Sequence, residues 1–152
     1  MLFDPNSRAI QLCSQGMQRE AEMEPAKAKL LFMQAWEEAA DDFEKLVAAH
    51  YIARHQESVD DKLRWDELAL SLALEHDDQQ IKEILPSLYL NIGKCYEDVG
   101  NYSRAQATYY LAEAFVQFLP DNGYGQMIKS GIKAGLIRSA GLDDQQVKEN
   151  VL

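Results

Sequence analysis

The sequence contains little cysteine and no long apolar run. It has only two cysteines, Cys13 and Cys95, in 152 residues, which excludes a disulfide framework. Both cysteines fall in helical apolar patterns, so we expect two buried thiols that act as small hydrophobic groups. No window approaches the roughly 18 apolar residues of a membrane span, and the N-terminal stretch MLFDPNSRAI lacks the cationic region of a signal peptide. We therefore expect a cytoplasmic protein without a membrane partner.

Positive charge is also scarce. The chain has 15 Lys and Arg against 25 Asp and Glu, which gives a formal net charge of -10 at pH 7. This charge repels a phosphate backbone and argues against general nucleic-acid binding. The length and the hydrophobic content of 47% are typical of one domain with its own core. We expect a single domain over residues 1–152.

The motifs that usually carry catalysis are missing from the sequence. It has no glycine-rich phosphate loop, no Gly-x-Ser-x-Gly elbow and no His-Glu-x-x-His motif. His50 and His55 are five residues apart, which misses the four-residue spacing that places two metal ligands on one helix face. We expect no catalytic residue, no metal site and no cofactor.

The clearest positive pattern lies in residues 86–115, PSLYLNIGKCYEDVGNYSRAQATYYLAEAF. Apolar side chains recur at three- and four-residue spacings before and after a turn at Gly100, which predicts a helical hairpin. A small residue such as Gly93 lets two helix backbones approach closely, and an aromatic such as Tyr109 fills the space beside them.

This segment resembles the tetratricopeptide repeat, in which small, aromatic and aliphatic residues occupy set positions of two helices. The matching residues are Tyr89, Ile92, Gly93, Tyr96, Ala105, Tyr109 and Ala112. Where the family pattern has a proline, this chain has Gln117, with Pro120 three residues later, and we expect the second helix to end at a different point. The resemblance implies an all-α fold, a right-handed superhelical array of antiparallel helix hairpins.

Two residue series extend the same pattern backwards along the chain. Their members lie 34 and then 43 residues apart: Gly16, His50 and Gly93 in one series, and Ala35, Ala69 and Ala112 in the other. These spacings place repeats at about 9–42, 43–76 and 86–119, with an insertion at 77–85. A later amphipathic pattern predicts a capping helix at about 124–140, with Met127, Ile128, Ile132, Leu136 and Ile137 on its apolar face.

The insertion shares a motif with the end of the chain, since HDDQQIKE at 76–83 recurs as LDDQQVKE at 142–149. Both segments have the composition of helix starts. We expect Asp77 or Asp78, and Asp143 or Asp144, to accept hydrogen bonds from unpaired backbone amides. We further expect one helix to begin near residue 79 and to continue through Pro86 with a bend.

The resemblance implies a function as well, because the first helix of each tetratricopeptide hairpin lines a concave groove that binds another protein or peptide. By their places on these helices, the groove residues are Tyr51, Arg54, His55, Leu90, Asn91, Lys94, Lys129 and Lys133. The first repeat adds Ile10, Cys13 and Met17 to the same surface. The four basic residues in the groove of an otherwise acidic protein favour an acidic peptide as the partner.

Two other functions fit the residues. The first is a homo-oligomerising module, in which two copies pair through the apolar residues Leu2, Phe3, Ile10 and Met17. In solution we expect a monomer or a weak homodimer. The second is an enzyme or small-ligand binder that uses His50, Tyr51 and His55, because the second repeat departs most from the family pattern.

Overall fold

A computed structural model describes residues 4–144 of the chain, which contain seven α-helices and no strand. The helices are α1 (Arg8–Ala21), α2 (Pro25–Glu38), α3 (Asp42–Arg54), α4 (Val59–Leu74), α5 (Gln79–Asp98), α6 (Tyr102–Glu113) and α7 (Gly123–Ser139), with a short 3-10 helix at Val116–Phe118. The prediction of an all-helical chain is confirmed for this part. Within it, no helix is both long enough and apolar enough to cross a bilayer.

Most helices begin where a polar side chain binds the backbone amide three residues later. These residues are Ser7, Asp41, Ser58, Asn101 and Asn122. Helix α2 begins instead with Pro25, which lacks the amide that would otherwise remain unpaired. The predicted side-chain cap of α5 is wrong: Asp78 occupies the N-cap position but makes no side-chain cap hydrogen bond, and Asp77 pairs with Lys82 at 2.8 Å instead.

The chain divides into two compact units, Met1–His76 and Asp77–Leu152. In the first unit, α1 packs against α2, and α3 packs against α4, α2 and α1. Small and aliphatic side chains of its core surround the ring of Phe32. A Cβ added at Gly16 would lie 2.4 Å from that ring, so glycine is what allows α1 and α2 to approach this closely. Between the two hairpins, Trp36 of α2 and Trp65 of α4 meet edge to face, with ring centroids 5.2 Å apart.

In the second unit, α5 pairs with α6, and α7 packs against both. Helix α5 begins at Gln79 and is continuous through Pro86, as the sequence predicts. The ring of Tyr109 is fully buried between two glycines: an added Cβ would lie 2.6 Å from it at Gly93 and 2.5 Å from it at Gly135. This close packing places α5, the first helix of the hairpin, beside α7.

The turns of the first and third hairpins have the same backbone form. Gly100 has a φ of 78°, and Met23 has a φ of 62° at the corresponding turn. In both turns the amide of the next residue bonds the carbonyl five positions earlier, at 2.9 Å. This is the Schellman arrangement, in which glycine is favoured because the left-handed conformation strains any residue with a Cβ.

The core of α7 differs in part from the predicted apolar face. Ile128 and Ile132 are buried, but Met127 and Ile137 are 61% and 66% exposed. The reason is that glycines, not large apolar residues, occupy the closest contacts: Gly131 lies against Leu90, and Gly135 lies against Tyr109. The helix face that points inward is therefore rotated away from Met127 and Ile137.

Both cysteines are free and buried, as predicted. Burial raises the pKa of the Cys13 thiol to about 12, so this thiol is protonated and unreactive at neutral pH. Near the C-terminus, Asp144 accepts hydrogen bonds from the amide and the hydroxyl of Ser103, at 2.8 and 2.6 Å. Asp144 therefore accepts a hydrogen bond from a backbone amide, and this amide belongs to the first turn of α6. The remainder of the second DDQQ motif lies outside the described residues.

Candidate functional site

The three groove residues predicted on α3 form one cluster in the first unit. The Tyr51 ring stacks on Phe32, with centroids 5.0 Å apart and planes 12° apart. The Arg54 guanidinium lies over the Tyr51 ring, 4.7 Å from its centroid. His55 lies beside Phe32 at 5.4 Å. Tyr51 and His55 are thus largely packing residues, and Arg54 is the exposed member of the cluster.

Glu20 of α1 joins this cluster to the first helix. Arg54 Nη2 donates to Glu20 Oε2 at 2.7 Å, and His55 Nε2 lies 2.6 Å from Glu20 Oε1. Each carboxylate oxygen therefore has its own partner on α3. Arg54 is already ion-paired with the Glu20 carboxylate, so an acidic ligand that binds Arg54 would compete with Glu20.

His50 has a different environment from His55. Burial, and secondly the positive charge of Arg54, lower the pKa of the half-buried His50 imidazole to about 4. Its Nδ1 atom has no hydrogen-bond partner among the described residues, and its ring lies 5.7 Å from that of Tyr51. The three residues considered for a small-ligand site, His50, Tyr51 and His55, thus lie side by side, with His50 neutral at pH 7.

In the second unit, α5 carries Leu90, Asn91 and Lys94. Leu90 packs against Gly131 of α7, so it contributes to the contact between these two helices. Asn91 is half-buried, and Lys94 is exposed. Lys94 forms an ion pair with Asp98, one turn later on the same helix. Like Arg54, Lys94 therefore has a carboxylate partner within the chain.

Lys129 and Lys133 lie on a different side of α7 from these α5 residues. Each is two positions from Gly131, which contacts Leu90. Two helical residues rotate the side-chain direction by about 200°, so both lysines point away from α5. Both are exposed. The structure therefore brings Leu90, Asn91 and Lys94 together on one surface and places Lys129 and Lys133 on another.

The sequence did not indicate one polar network of the second unit. Arg138 Nε and Nη2 donate to the two oxygens of Glu97 at 2.7 and 3.1 Å, and the Tyr109 hydroxyl donates to Glu97 Oε2 at 2.5 Å. The hydrogen bond from Arg138 is the main reason why the pKa of Glu97 is lowered, and burial is the main reason why the pKa of Tyr109 is raised. The network ties α5, α6 and α7 together.

A signal for this network was present in the repeat pattern. Glu20 follows Gly16 by four residues, and Glu97 follows Gly93 by four. In each unit this glutamate pairs with an arginine of the third helix, Arg54 or Arg138. Glu20 and Glu97 therefore each connect the first helix of their unit to the third helix beside it.

The surface predicted for the first repeat is smaller than expected. Ile10 and Cys13 are 4% and 3% exposed, because they pack into the core of the first unit, and only Met17 is accessible, at 46%. The same burial removes Ile10 from the predicted self-association face. Leu2 and Phe3, the other residues of that face, lie outside the described residues.

An open recess of about 360 Å³ lies between α1 and α2, outside the predicted groove. Its lining residues are Gln15, Gln18, Arg19, Lys27, Leu30 and Leu31. Glu24 pairs with both cations of the lining, at 3.1 Å and 2.6 Å. The recess thus presents amide groups and apolar surface, with its charges already paired.

Within residues 4–144, no group of three His, Cys, Asp or Glu side chains converges to hold a metal ion. Neither a family model nor a curated protein nor a solved structure matches this chain.

Proposed function

We propose that this chain is a tetratricopeptide-type adaptor that binds a segment of another protein on the exposed faces of its first helices. In this proposal the hairpins continue one another as a right-handed superhelix, with α7 as the capping helix. The exposed faces of the first helices then bind the segment, with Met17 and Arg54 on α1 and α3 of the first unit and Asn91 and Lys94 on α5 of the second.

One observation carries the proposal, the repetition of the same close packing in both units. Gly16 receives the Phe32 ring and Gly93 receives the Tyr109 ring, each at less than 3 Å from an added Cβ. In each unit the helix with this glycine also lies beside the third helix, α1 beside α3 and α5 beside α7. Side-by-side first helices are the arrangement that produces a binding groove in helical repeat proteins.

The chemistry of these faces suits a protein segment. They combine an exposed apolar side chain, Met17, with a half-buried amide, Asn91, and with ion-paired cations. Because Glu20 and Asp98 already hold Arg54 and Lys94, the cations are positioned before binding and lose little freedom when a ligand arrives. Such a surface favours a mixed polar and apolar segment that accepts hydrogen bonds from the cations without replacing their partners.

Photo-crosslinking tests the proposal. A photoreactive phenylalanine analogue is placed at Met17 and at Asn91, in the full chain produced in its own cells. Control positions are Gln34 on α2 and Ser71 on α4, which are exposed on second helices. We expect Met17 and Asn91 to crosslink to the same protein and the controls to leave it unmodified. Crosslinks from the control positions alone, or from none of the four, would contradict the proposal.

A further inference from the structure

Helix α7 differs in charge from the rest of the chain. Its sequence, GYGQMIKSGIKAGLIRS, has three cations and no acidic residue, whereas each of the other six α-helices contains Asp or Glu. In a chain with a net charge of -10, this concentrates a positive potential on one element.

Two of the three cations are available for a ligand. Arg138 is held by Glu97, but Lys129 and Lys133 are exposed and make no ion pair or hydrogen bond with another residue of the described range 4–144. They differ in this from Arg54 and Lys94, whose carboxylate partners are internal. Helix α7 therefore carries two accessible, unpaired positive charges.

The same face of α7 has an exposed apolar side chain. Lys129, Lys133 and Ile137 follow one another at four-residue spacing and form a row along the helix. Ile137, at the C-terminal end of this row, is 66% exposed. Helices α5 and α6 pack on the other side of α7, through Gly131, Gly135 and Arg138. The outward face of α7 is thus an amphipathic surface, basic over two turns and apolar at its C-terminal end.

We infer that this outward face, defined by Lys129, Lys133 and Ile137, binds an acidic amphipathic helix of a partner protein. The two lysines are one turn apart, which matches carboxylates four residues apart on a facing helix. Ile137 lies about 6 Å beyond Lys133 along the axis, so the facing helix needs an apolar residue on one side of its carboxylates. The inference rests on the proposed adaptor function and names the partner chemistry of its capping end.

A protein helix fits this face better than an anionic bilayer does. Surface attraction to anionic lipid gives about 1 kcal/mol per cation, and stable attachment uses several cations together. Only Lys129 and Lys133 are unpaired here, and the net charge of the chain opposes approach to an anionic surface. A short acidic helix interacts with the two lysines without bringing a wide negative surface to the rest of the chain.

The test uses three fluorescein-labelled peptides of about 18 residues, long enough for several helical turns. One has Leu and Ala with Glu at four-residue spacing, and the other two have Gln or Lys in place of Glu. Binding to the full chain is measured by fluorescence anisotropy. We expect the Glu peptide to bind about tenfold more tightly than the Gln peptide, and the Lys peptide to bind least.

The variant Lys129→Glu/Lys133→Glu locates the binding. It should weaken binding of the Glu peptide at least about tenfold, while the matched reversal Lys27→Glu/Lys29→Glu on α2 should change it less than about twofold. Ile137→Ser should weaken all three peptides alike, since it removes apolar contact only. Circular dichroism confirms that each variant is folded.

Several results would overturn the inference. These are no saturable binding of the Glu peptide, equal binding of the Glu and Gln peptides, and an equal effect of the two charge reversals. Lysine-dependent attachment to phosphatidylglycerol vesicles, or lysine-dependent dimerisation in sedimentation, would assign the face to a bilayer or to a second copy. Crosslinking at Met17 and Asn91 without peptide binding refutes the α7 inference alone. Peptide binding without that crosslinking refutes the proposed groove alone.

Discussion

Tyr109 and Gly93 form the closest junction between α5 and α6, with the ring of Tyr109 lying where a side chain at Gly93 would begin. The hydroxyl of the same tyrosine reaches Glu97, one turn further along α5. Phe32 and Gly16 form the corresponding junction between α1 and α2. These two junctions limit how closely the helices of each hairpin pack, so an added side chain at either glycine should be costly.

Adding a methyl group at either junction should destabilise the protein. Gly93→Ala places a Cβ about 2.6 Å from the Tyr109 ring, and Gly16→Ala places one about 2.4 Å from the Phe32 ring. Because both rings are enclosed, we expect each variant to lose about 1–3 kcal/mol of unfolding free energy. Gly123→Ala is the matched control, since nothing lies within 4 Å of its Cβ. Urea denaturation measures all three, and a loss no larger than that of the control would contradict the packing described.

Met23→Gly should stabilise the first hairpin. Met23 has a φ of 62°, and its side chain is 86% exposed, so the substitution relieves strain and removes little packing. We expect a gain of about 1 kcal/mol, the usual cost of a left-handed residue with a Cβ. Met23→Ala retains the Cβ and should give no gain. Thermal unfolding compares the two variants, and equal midpoints would show that strain at residue 23 is absent.

Acidification should destabilise the chain through His50. The pKa of His50 is about 4 in the folded chain, against an ordinary value of 6.5. The unfolded chain therefore binds the extra proton first, and stability falls as the pH is lowered from 6.5 towards 4. The full effect of this shift is on the order of 3 kcal/mol. We expect His50→Leu to reduce the pH dependence of the unfolding free energy over this range. If the unfolding free energy of His50→Leu depends on pH as steeply as that of the parent, folding does not lower the pKa of His50.

Glu97 should contribute to stability above its ordinary pKa of 4.5. Its pKa is lowered in the folded chain, mainly by the Arg138 hydrogen bond, so its contribution is present at neutral pH and is lost as the pH falls through the folded value. Glu97→Gln should remove this part of the acid sensitivity. Tyr109→Phe should cost about 1–2 kcal/mol at pH 7, by removing one hydrogen bond to a charged acceptor. A Tyr109→Phe variant as stable as the parent would mean that the hydroxyl bonds water equally well.

The hairpins were predictable because their signals are local. Gly93 and Tyr109 lie within one repeat, and the template places them opposite each other before any tertiary contact is known. The long-range ion pairs were not predictable in the same way. Glu97 and Arg138 are 41 residues apart, and their meeting depends on the irregular segment between α6 and α7, whose length differs from that between α2 and α3.

The basic groove was only partly predictable for a related reason. A helical pattern shows that Arg54 and Lys94 are on first helices, but not that Glu20 and Asp98 neutralise them. The four-residue spacing of Lys94 and Asp98 was visible in the sequence, whereas the Arg54 partner comes from a different hairpin. The predicted inward face of α7 is partly wrong, because Gly131 and Gly135 make the close contacts that the apolar pattern assigned to Met127 and Ile137.

The most direct test of the adaptor proposal is chemical-shift mapping with the partner identified by crosslinking. Backbone amide spectra of the labelled chain are recorded during titration with that partner. The account predicts that the largest shifts occur on α1, α3, α5 and α7, including Met17, Arg54 and Asn91, and that Gln34 and Ser71 stay unchanged. Shifts confined to α2, α4 and α6 would contradict it.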